Sequence, residues 1–237
     1  GVTGVQTCAL PIYRWEAGQR LAGSATHWPA GFADALGQSL RHADTDPAFA
    51  AEVLTLPGEA TLAEEMAVVD PDALHAARNG LRRFLAERLH DSFLHCYQSL
   101  ATDGPYEATP AAAGRRALRN VCLGYLGELA TVAMHQLAMR QFASADNMSD
   151  QFAALAVLAQ HDCEQRHQAL AAFHERWQGE ALVIDKWLSV QASSRLPDTL
   201  AVVEALLAHR SFDLHNPNKV YALLNSFGNN HVRFHAA

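Results

Sequence analysis

Hydrophobic side chains between residues 70 and 101 recur mostly at steps of three, four or seven positions. They are Leu74, Leu81, Phe84, Leu85, Leu89, Phe93, Cys96, Tyr97 and Leu100. Because an α-helix completes a turn every ~3.6 residues, these steps keep one face of a helix apolar. The pattern predicts a single amphipathic helix over 70–101, the longest helix of the chain.

A capping side chain stands directly before a proline at four places. These are Asp46-Pro47, Asp70-Pro71, Thr109-Pro110 and Asn216-Pro217. The side-chain oxygen of such a residue accepts a hydrogen bond from a first-turn N–H, and proline at the first helical position lacks only an N–H that has no partner in the helix. Since a run with helical spacing follows each pair, we predict that a helix begins at all four.

The rest of the chain carries the same helical spacing. Gly124 and Gly127 predict a break within the run that follows Pro110, and Asp146 or Ser149 is expected to cap the helix after it. Later helices are predicted around three groups of apolar residues, with one helix ending near Gly179 and another opening at Asp198. The groups are Leu170, Phe173 and Trp177; Val183, Ile184, Trp187 and Leu188; and Leu200, Val203, Leu206 and Leu207. A last helix is predicted around Val220, Leu223, Leu224 and Phe227.

Paired helices with short connections, and few strand signals, are typical of stacked helical repeats. We therefore predict an all-α fold, an α-solenoid of stacked helix pairs of the armadillo or HEAT kind that forms a superhelix. A globular helical bundle is the alternative. The repeat is structural, because no two helix pairs align convincingly as text.

The first twelve residues, GVTGVQTCALPI, are treated separately from the fold. They lack an initiator Met, a basic segment and a small-residue cleavage site, so they are not a targeting peptide. They resemble translated sequencing adaptor, and we expect 1–12 to be an unstructured artefact. Residues 13–237 are then expected to form one helical repeat domain, truncated at its C-terminal end.

The amino-acid composition argues against several classes of protein. The 237 residues include 18 Lys plus Arg and 25 Asp plus Glu, a net charge of −7, which does not favour nucleic-acid binding. A hydrophobic content of 49% excludes general disorder. The four cysteines are dispersed without a CxxC, which indicates reduced thiols and a cytoplasmic location. No apolar run is long enough to predict a membrane span.

Thirteen histidines require that a metal site be considered. The segment His174-Glu-Arg-Trp-Gln178 approaches the HExxH zinc signature, but Gln178 replaces its second His. A helix could also align Cys163, His167 and His174, with His161 nearby, yet no further ligand completes a tetrahedral set. We therefore expect surface and helix-end histidines and no metal, cofactor or catalytic residue in this chain.

Two basic stretches are predicted on helices. They are Arg78, Arg82 and Arg83, and Arg115, Arg116 and Arg119. Against the acidic balance of the chain, they are interpreted as solvated faces or interhelical pairs. The glycine-rich phosphate-binding signatures and the GxSxG elbow of serine hydrolases are absent from the sequence.

Seven phrases resemble, in order, the C-terminal region of the bacterial aminopeptidase N family, alanyl aminopeptidases of the gluzincin class. They are TLPGE at 55–59, VDPDALHAAR at 69–78, GRRALRN at 114–120, ADNMSD at 145–150, DKW at 185–187, FDLHNPN at 212–218 and VRFHA at 232–236. The resemblance runs from about Tyr13 to Ala237. The combination is far more specific than any single phrase.

The resemblance implies a parent enzyme that releases N-terminal residues from peptides, with zinc held by HExxH and a downstream Glu, beside a GxMEN motif. Neither motif is present here, and Met66 is followed by Ala-Val. In the family this helical region covers the active site and walls the cavity that peptides enter, so its implied partners are the catalytic domain of the same polypeptide and peptide substrates. Tyr221 stands where relatives usually have a basic residue.

Two other functions remain open from the sequence. One is a free-standing helical scaffold that binds a partner protein. The other is a His-rich metal-binding helical domain. An upstream HExxH in the same reading frame would favour the aminopeptidase fragment over both.

Overall fold

Every regular element is a helix in the part of the chain that the computed structural model describes, which is residues 28, 30–64, 66–102 and 104–236. The all-α prediction is confirmed. Within those ranges, no helix combines the length and the apolar character that crossing a membrane requires. The predicted artefact at 1–12 lies outside the described residues.

The chain divides into two compact units, 1–130 and 131–237. The described helices of the first unit are α1 (Ala30–Arg41), α2 (Pro47–Leu54), α3 (Glu59–Ala63), α4 (Pro71–Arg88), α5 (His90–Ser99) and α6 (Pro110–Gly127). α6 packs against α2, α4 and α5, and α3 packs against α4. At the centre, the rings of Phe93 and Tyr125 stack with centroids 4.6 Å apart. Helix α6 is thus the element around which the first unit is built.

The second unit has its own core. Its helices are α7 (Val132–Ser144), α8 (Met148–Leu158), α9 (Glu164–Trp177), α10 (Ala181–Ala192), α11 (Thr199–Leu207), α12 (Pro217–Val220), a π-helical turn (Tyr221–Asn225), α13 (Ser226–Gly228) and α14 (His231–Phe234). Consecutive helices from α7 to α11 pack on one another. Phe173 on α9 contacts the rings of Phe142 on α7 and Phe152 on α8, at centroid distances of 6.4 and 6.3 Å.

All four predicted helix starts are confirmed. Asp46, Asp70 and Thr109 each accept a hydrogen bond from the backbone N–H three residues on, and Asn216 accepts one from the N–H two residues on. In each case proline occupies the first helical position. Each start depends only on residues close together in the chain, so it can be predicted from the sequence without tertiary information.

The single helix predicted over 70–101 is wrong, because α4 ends at Arg88 and α5 begins at His90. Leu89 between them has φ −113° and ψ 20°. Its N–H still donates to the Leu85 carbonyl, and its own carbonyl still accepts from Phe93 N–H. Since only one residue leaves the helical conformation, the spacing of apolar positions passes through the interruption almost unchanged.

The two-helix prediction after Pro110 is confirmed, and the break falls at Gly127, the second of the two predicted glycines, and not at Gly124. Gly124 lies inside α6, which ends at Gly127, and Thr131 caps α7. Between them Ala130 has φ 53°, in the left-handed region that costs an L-residue about 1–2 kcal/mol. The cap of α8 is Asn147, not Asp146 or Ser149, because the Asn147 side chain accepts from Asp150 N–H at 2.9 Å.

Candidate functional site

The residues that sequence reasoning weighed as metal ligands serve separate structural roles. Cys163 precedes α9 as its N-cap residue, and His167 is exposed on that helix. His174 Nε2 lies 2.8 Å from Ser211 Oγ. His161 is buried, contrary to the expectation of surface and helix-end histidines, and its ring centroid is 4.9 Å from that of His135.

Within the described part of the chain, no three His, Cys, Asp or Glu side chains come together as a metal site would require. The residues present there therefore do not fit a zinc ion. That this chain binds no metal stays a prediction, which direct metal analysis tests.

The His174 side chain belongs to a packed cluster in the second unit. Its ring lies against Trp187, with centroids 4.6 Å apart, and edge-on to His209 at 5.1 Å. Burial, followed by the charges of His209 and Arg210, lowers the pKa of His174. The neutral imidazole is therefore favoured, and the cluster holds α9 to the segment after α11.

The first basic stretch contains both predicted types of arginine. Arg82 Nε donates to Glu128 Oε1 at 2.7 Å, so this arginine forms an interhelical pair as expected. Arg83 is exposed and pairs with Glu87 on its own helix at 2.9 Å, as on a solvated face. Arg78 fits neither description, because its Nε donates to the backbone carbonyl of Pro57 at 2.8 Å.

In the second basic stretch, aromatic rings take part. The Arg116 guanidinium lies 4.6 Å from the centroid of the Tyr106 ring and donates to the Glu107 carbonyl at 2.8 Å. The Arg119 guanidinium lies 4.5 Å from the centroid of the Tyr97 ring and donates to its hydroxyl at 3.1 Å. These contacts join α6 to the preceding loop and to α5. Arg116 and Arg119 of the second basic stretch therefore have a structural role.

Arg78 and Arg82 line a pocket of about 310 Å³ in the first unit, and we define it as the Arg78 pocket. Its walls come from the end of α2 with the segment after it, from α4 and from α6. The lining residues are Leu54, Thr55, Leu56, Arg78, Arg82, Asn120, Val121, Gly124 and Tyr125. Two guanidinium groups thus share a small pocket with an aliphatic wall.

The two arginines of the Arg78 pocket differ in their electrostatic surroundings. Burial lowers the pKa of Arg78, and the next influence is repulsion from Arg82, ahead of the attraction of Glu59. Arg82 has a carboxylate partner in Glu128, whereas the hydrogen bond described for Arg78 is to a neutral carbonyl. Burial raises the pKa of Tyr125 to about 12, so its hydroxyl stays protonated at neutral pH.

A hydrogen-bonded chain ties down the segment beside the pocket. Asn79 Nδ2 lies 2.8 Å from His75 Nε2, and His75 Nδ1 lies 2.8 Å from Glu59 Oε1. Donation from the Asn79 amide leaves Nδ1 of His75 to carry the proton that Glu59 accepts. The start of α3 is thereby fixed to α4, which orients the Thr55-Leu-Pro-Gly segment between α2 and α3.

The second unit contains another small pocket, of about 260 Å³. It is lined by Gln178, Gly179, Ala181, Ile184, Arg210, Ser211 and Lys219. Lys219 is buried, and its Nζ donates to Asp185 Oδ1 at 2.7 Å and to the Ala181 carbonyl at 2.9 Å. Tyr221, two residues further on, is exposed. Asp185 therefore neutralises Lys219, while Arg210, which also lines this pocket, donates to the amide oxygen of Gln178 at 3.1 Å.

The consecutive helices of the second unit pack on one another, as the helices of helical-repeat proteins do. The chain belongs to the family described as a domain of unknown function, DUF3458_C, with ARM repeats, whose family model matches residues 11–237. The prediction of an all-α repeat fold is confirmed by this match.

Curated relatives carry the name aminopeptidase N. The chain is 39% identical over 233 residues to that of Caulobacter vibrioides, covering 94% of this chain and 27% of the relative. The corresponding values for Escherichia coli are 37% over 230 residues, 96% and 26%. For Haemophilus influenzae they are 36% over 202 residues, 85% and 23%. The chain therefore spans about a quarter of the length of these relatives, and the predicted resemblance is confirmed.

A solved structure is similar over nearly the whole chain. It is the crystal structure of Legionella pneumophila aminopeptidase A in complex with aspartic acid, which is 26% identical to this chain with a TM-score of 0.85. The similarity covers 99% of this chain and 29% of the Legionella protein. The chain thus corresponds to a helical domain of a peptidase.

Proposed function

We propose that the chain acts as the non-catalytic C-terminal helical domain of a zinc-dependent aminopeptidase that releases N-terminal amino acids from peptides. In that enzyme it covers the active site and walls the cavity that peptides enter. Its partners are the catalytic domain of the same polypeptide and the peptide substrates. The single observation that carries the proposal is 36–39% identity, over most of this chain, to three proteins named aminopeptidase N.

Two features of the sequence support a non-catalytic role. The HExxH pair that would bind zinc is absent from all 237 residues, and His174-Glu-Arg-Trp-Gln178 lacks its second histidine. A GxMEN motif for the free amine of a substrate is absent as well. Zinc therefore belongs to the proposed parent enzyme, where it supplies an activated water.

The proposal includes a location and a domain boundary. The three free cysteines among the described residues, Cys96, Cys122 and Cys163, support a reducing, cytoplasmic compartment. The proposed domain starts near Tyr13, and the family match, which begins at residue 11, supports a start close to that point.

A chimera tests the proposal. In the Escherichia coli relative, the segment that aligns with this chain is replaced by residues 13–237, and a second protein simply lacks that segment. We expect the chimera to hydrolyse alanyl p-nitroanilide and short peptides, and the deleted protein to lose most of this activity. A folded chimera without activity would count against the proposal.

The isolated chain provides the complementary assay. With or without added zinc, the purified 237-residue chain should hydrolyse no aminoacyl arylamide and should contain no stoichiometric metal by mass spectrometry. Turnover that survives repurification and is blocked by a chelator would contradict the non-catalytic assignment. Stoichiometric zinc without turnover would instead favour the His-rich metal-binding domain.

A further inference from the structure

We propose that the Arg78 pocket binds a small organic carboxylate with a compact aliphatic group, its carboxylate held by the Arg78 guanidinium. All of its lining residues lie between Leu54 and Tyr125 in the first unit, and the proposal does not rest on the proposed aminopeptidase function.

The charge that attracts the ligand comes from Arg78. Arg82 already pairs with Glu128 at 2.7 Å and donates to the Gly124 carbonyl at 3.2 Å, so its charge is locally balanced. Arg78 uses Nε on the Pro57 carbonyl, and this single described hydrogen bond leaves the two Nη nitrogens for a ligand. A guanidinium offers a carboxylate two parallel N–H donors, which is the geometry that a carboxylate prefers.

The surroundings make that charge costly unless an anion is bound. Arg78 is partly buried, and after burial itself the charge of Arg82 is the strongest influence on its pKa. Among the groups that raise the pKa of Arg78, Glu59 has the largest effect. Its Oε1 already lies 2.8 Å from His75 Nδ1. A bound carboxylate would therefore relieve repulsion between the two guanidinium groups as well as accept hydrogen bonds.

The walls select an aliphatic group over a bare anion. Leu54 and Leu56 are buried, and Val121 and the Tyr125 ring complete an apolar surface beside the guanidinium groups. A pocket of about 310 Å³ is at the small end of the range for ligand sites. Burial of a few methyl groups there favours binding, and inorganic phosphate has no methyl groups to bury.

The test uses the full 237-residue chain and 4-methylpentanoate as the probe. The Nε–Hε resonance of Arg78 in a ¹⁵N spectrum should shift in a saturable way with millimolar 4-methylpentanoate. The neutral analogue 4-methylpentan-1-ol and inorganic phosphate should bind at least about tenfold more weakly, since each lacks one of the two recognised features. Phosphate binding as strong as that of 4-methylpentanoate would overturn the assignment, as would an Arg78 resonance that does not move.

Three variants locate the binding. Arg78→Met should abolish saturable binding, and Val121→Trp should do so by filling the pocket while both charges remain. The matched control is Arg83→Met, on the same helix but exposed and paired with Glu87, which should leave the affinity unchanged. Equal weakening by Arg83→Met, or full binding by Val121→Trp, would overturn the proposal. Because the wild-type titration and Val121→Trp retain Arg78, a folding defect in Arg78→Met does not remove the test.

Discussion

The hydroxyl of Tyr125 donates a hydrogen bond of 2.7 Å to the backbone carbonyl of Leu54, which lies 71 residues earlier in the chain. Tyr125 belongs to α6, and Leu54 is the last residue of α2. Both are almost fully buried, so no solvent replaces this bond if it is lost. The bond fixes the point where the chain leaves α2 to form the wall of the Arg78 pocket.

Tyr125→Phe is therefore expected to destabilise the chain by about 1–2 kcal/mol, because a buried carbonyl is left without its donor while the ring packing against Phe93 is kept. The measurement is the free energy of unfolding from urea denaturation. Tyr106→Phe is the matched control, because its ring is about half exposed. Equal midpoints for Tyr125→Phe and wild type would contradict the assigned bond.

The buried Lys219–Asp185 pair gives a second prediction. Lys219→Met should cost about 2–3 kcal/mol in unfolding free energy, because it leaves the Asp185 carboxylate mostly buried and unpaired. The double variant Lys219→Met with Asp185→Asn should recover part of that loss. Lys186, the other lysine of the chain, is exposed, and Lys186→Met should cost less than about 1 kcal/mol. A smaller effect at Lys219 than at Lys186 would refute the pairing.

The start of α8 allows a test of the corrected cap. Asn147→Ala should lower the unfolding free energy by about 1 kcal/mol, because its side chain bonds to the backbone N–H of Asp150. Ser149→Ala changes an exposed residue in the first turn of the same helix and should be nearly neutral. If Ser149→Ala proved the more costly change, the cap would be misassigned.

The lowered pKa of His174 predicts an acid-side loss of stability. A histidine whose pKa is lower in the folded than in the unfolded chain is protonated first in the unfolded chain. Stability therefore falls as the pH drops from about 6.5 towards the lowered folded value. In His174→Gln, the difference in unfolding free energy between pH 7.5 and pH 5.5 should be smaller than in wild type.

His135 also has a pKa lowered by burial, so some acid sensitivity should remain in His174→Gln. His167→Gln, at an exposed position of the same helix, is the control for the substitution itself. A pH dependence that is identical in His174→Gln and wild type would show that His174 does not contribute.

The cysteines should differ in reactivity. A hydrogen bond with Cys96, followed by burial, raises the pKa of Cys122, and alkylation requires the thiolate. Cys163, which is partly exposed, should therefore react with iodoacetamide at least about tenfold faster than Cys122 in the native chain. Peptide mass spectrometry measures both rates, and in guanidinium they should converge. Native labelling of Cys122 at the rate of Cys163 would contradict the buried contact.

The features that were predictable from the sequence are those that depend on residues close together in the chain. The caps at Asp46, Asp70, Thr109 and Asn216 were all predictable, since each uses atoms two or three residues apart. The interruption at Leu89 was not, because one non-helical residue barely changes the apolar spacing. The choice of Asn147 over its neighbours was undetermined, since Asp, Asn and Ser all cap well.

The Arg78 pocket was out of reach for a different reason. The basic stretch was visible in the sequence, but Arg78, Arg82 and Arg83 look alike there. What distinguishes them is the partner that each meets: Pro57 for Arg78, Glu128 for Arg82 and Glu87 for Arg83. Two of these partners are 21 and 46 residues away, so the tertiary fold decides which guanidinium retains an unbalanced charge.

The helix starts at Asp46, Asp70, Thr109 and Asn216 are set independently of the apolar residues that lie between them. Each boundary is set by a side-chain oxygen and a proline ring, and neither belongs to the apolar interior. Exchange of one buried aliphatic residue for another can therefore change how tightly a helix packs while the residue at which it begins stays the same. The apolar core can therefore vary in composition, because the residues that set these helix starts lie outside it.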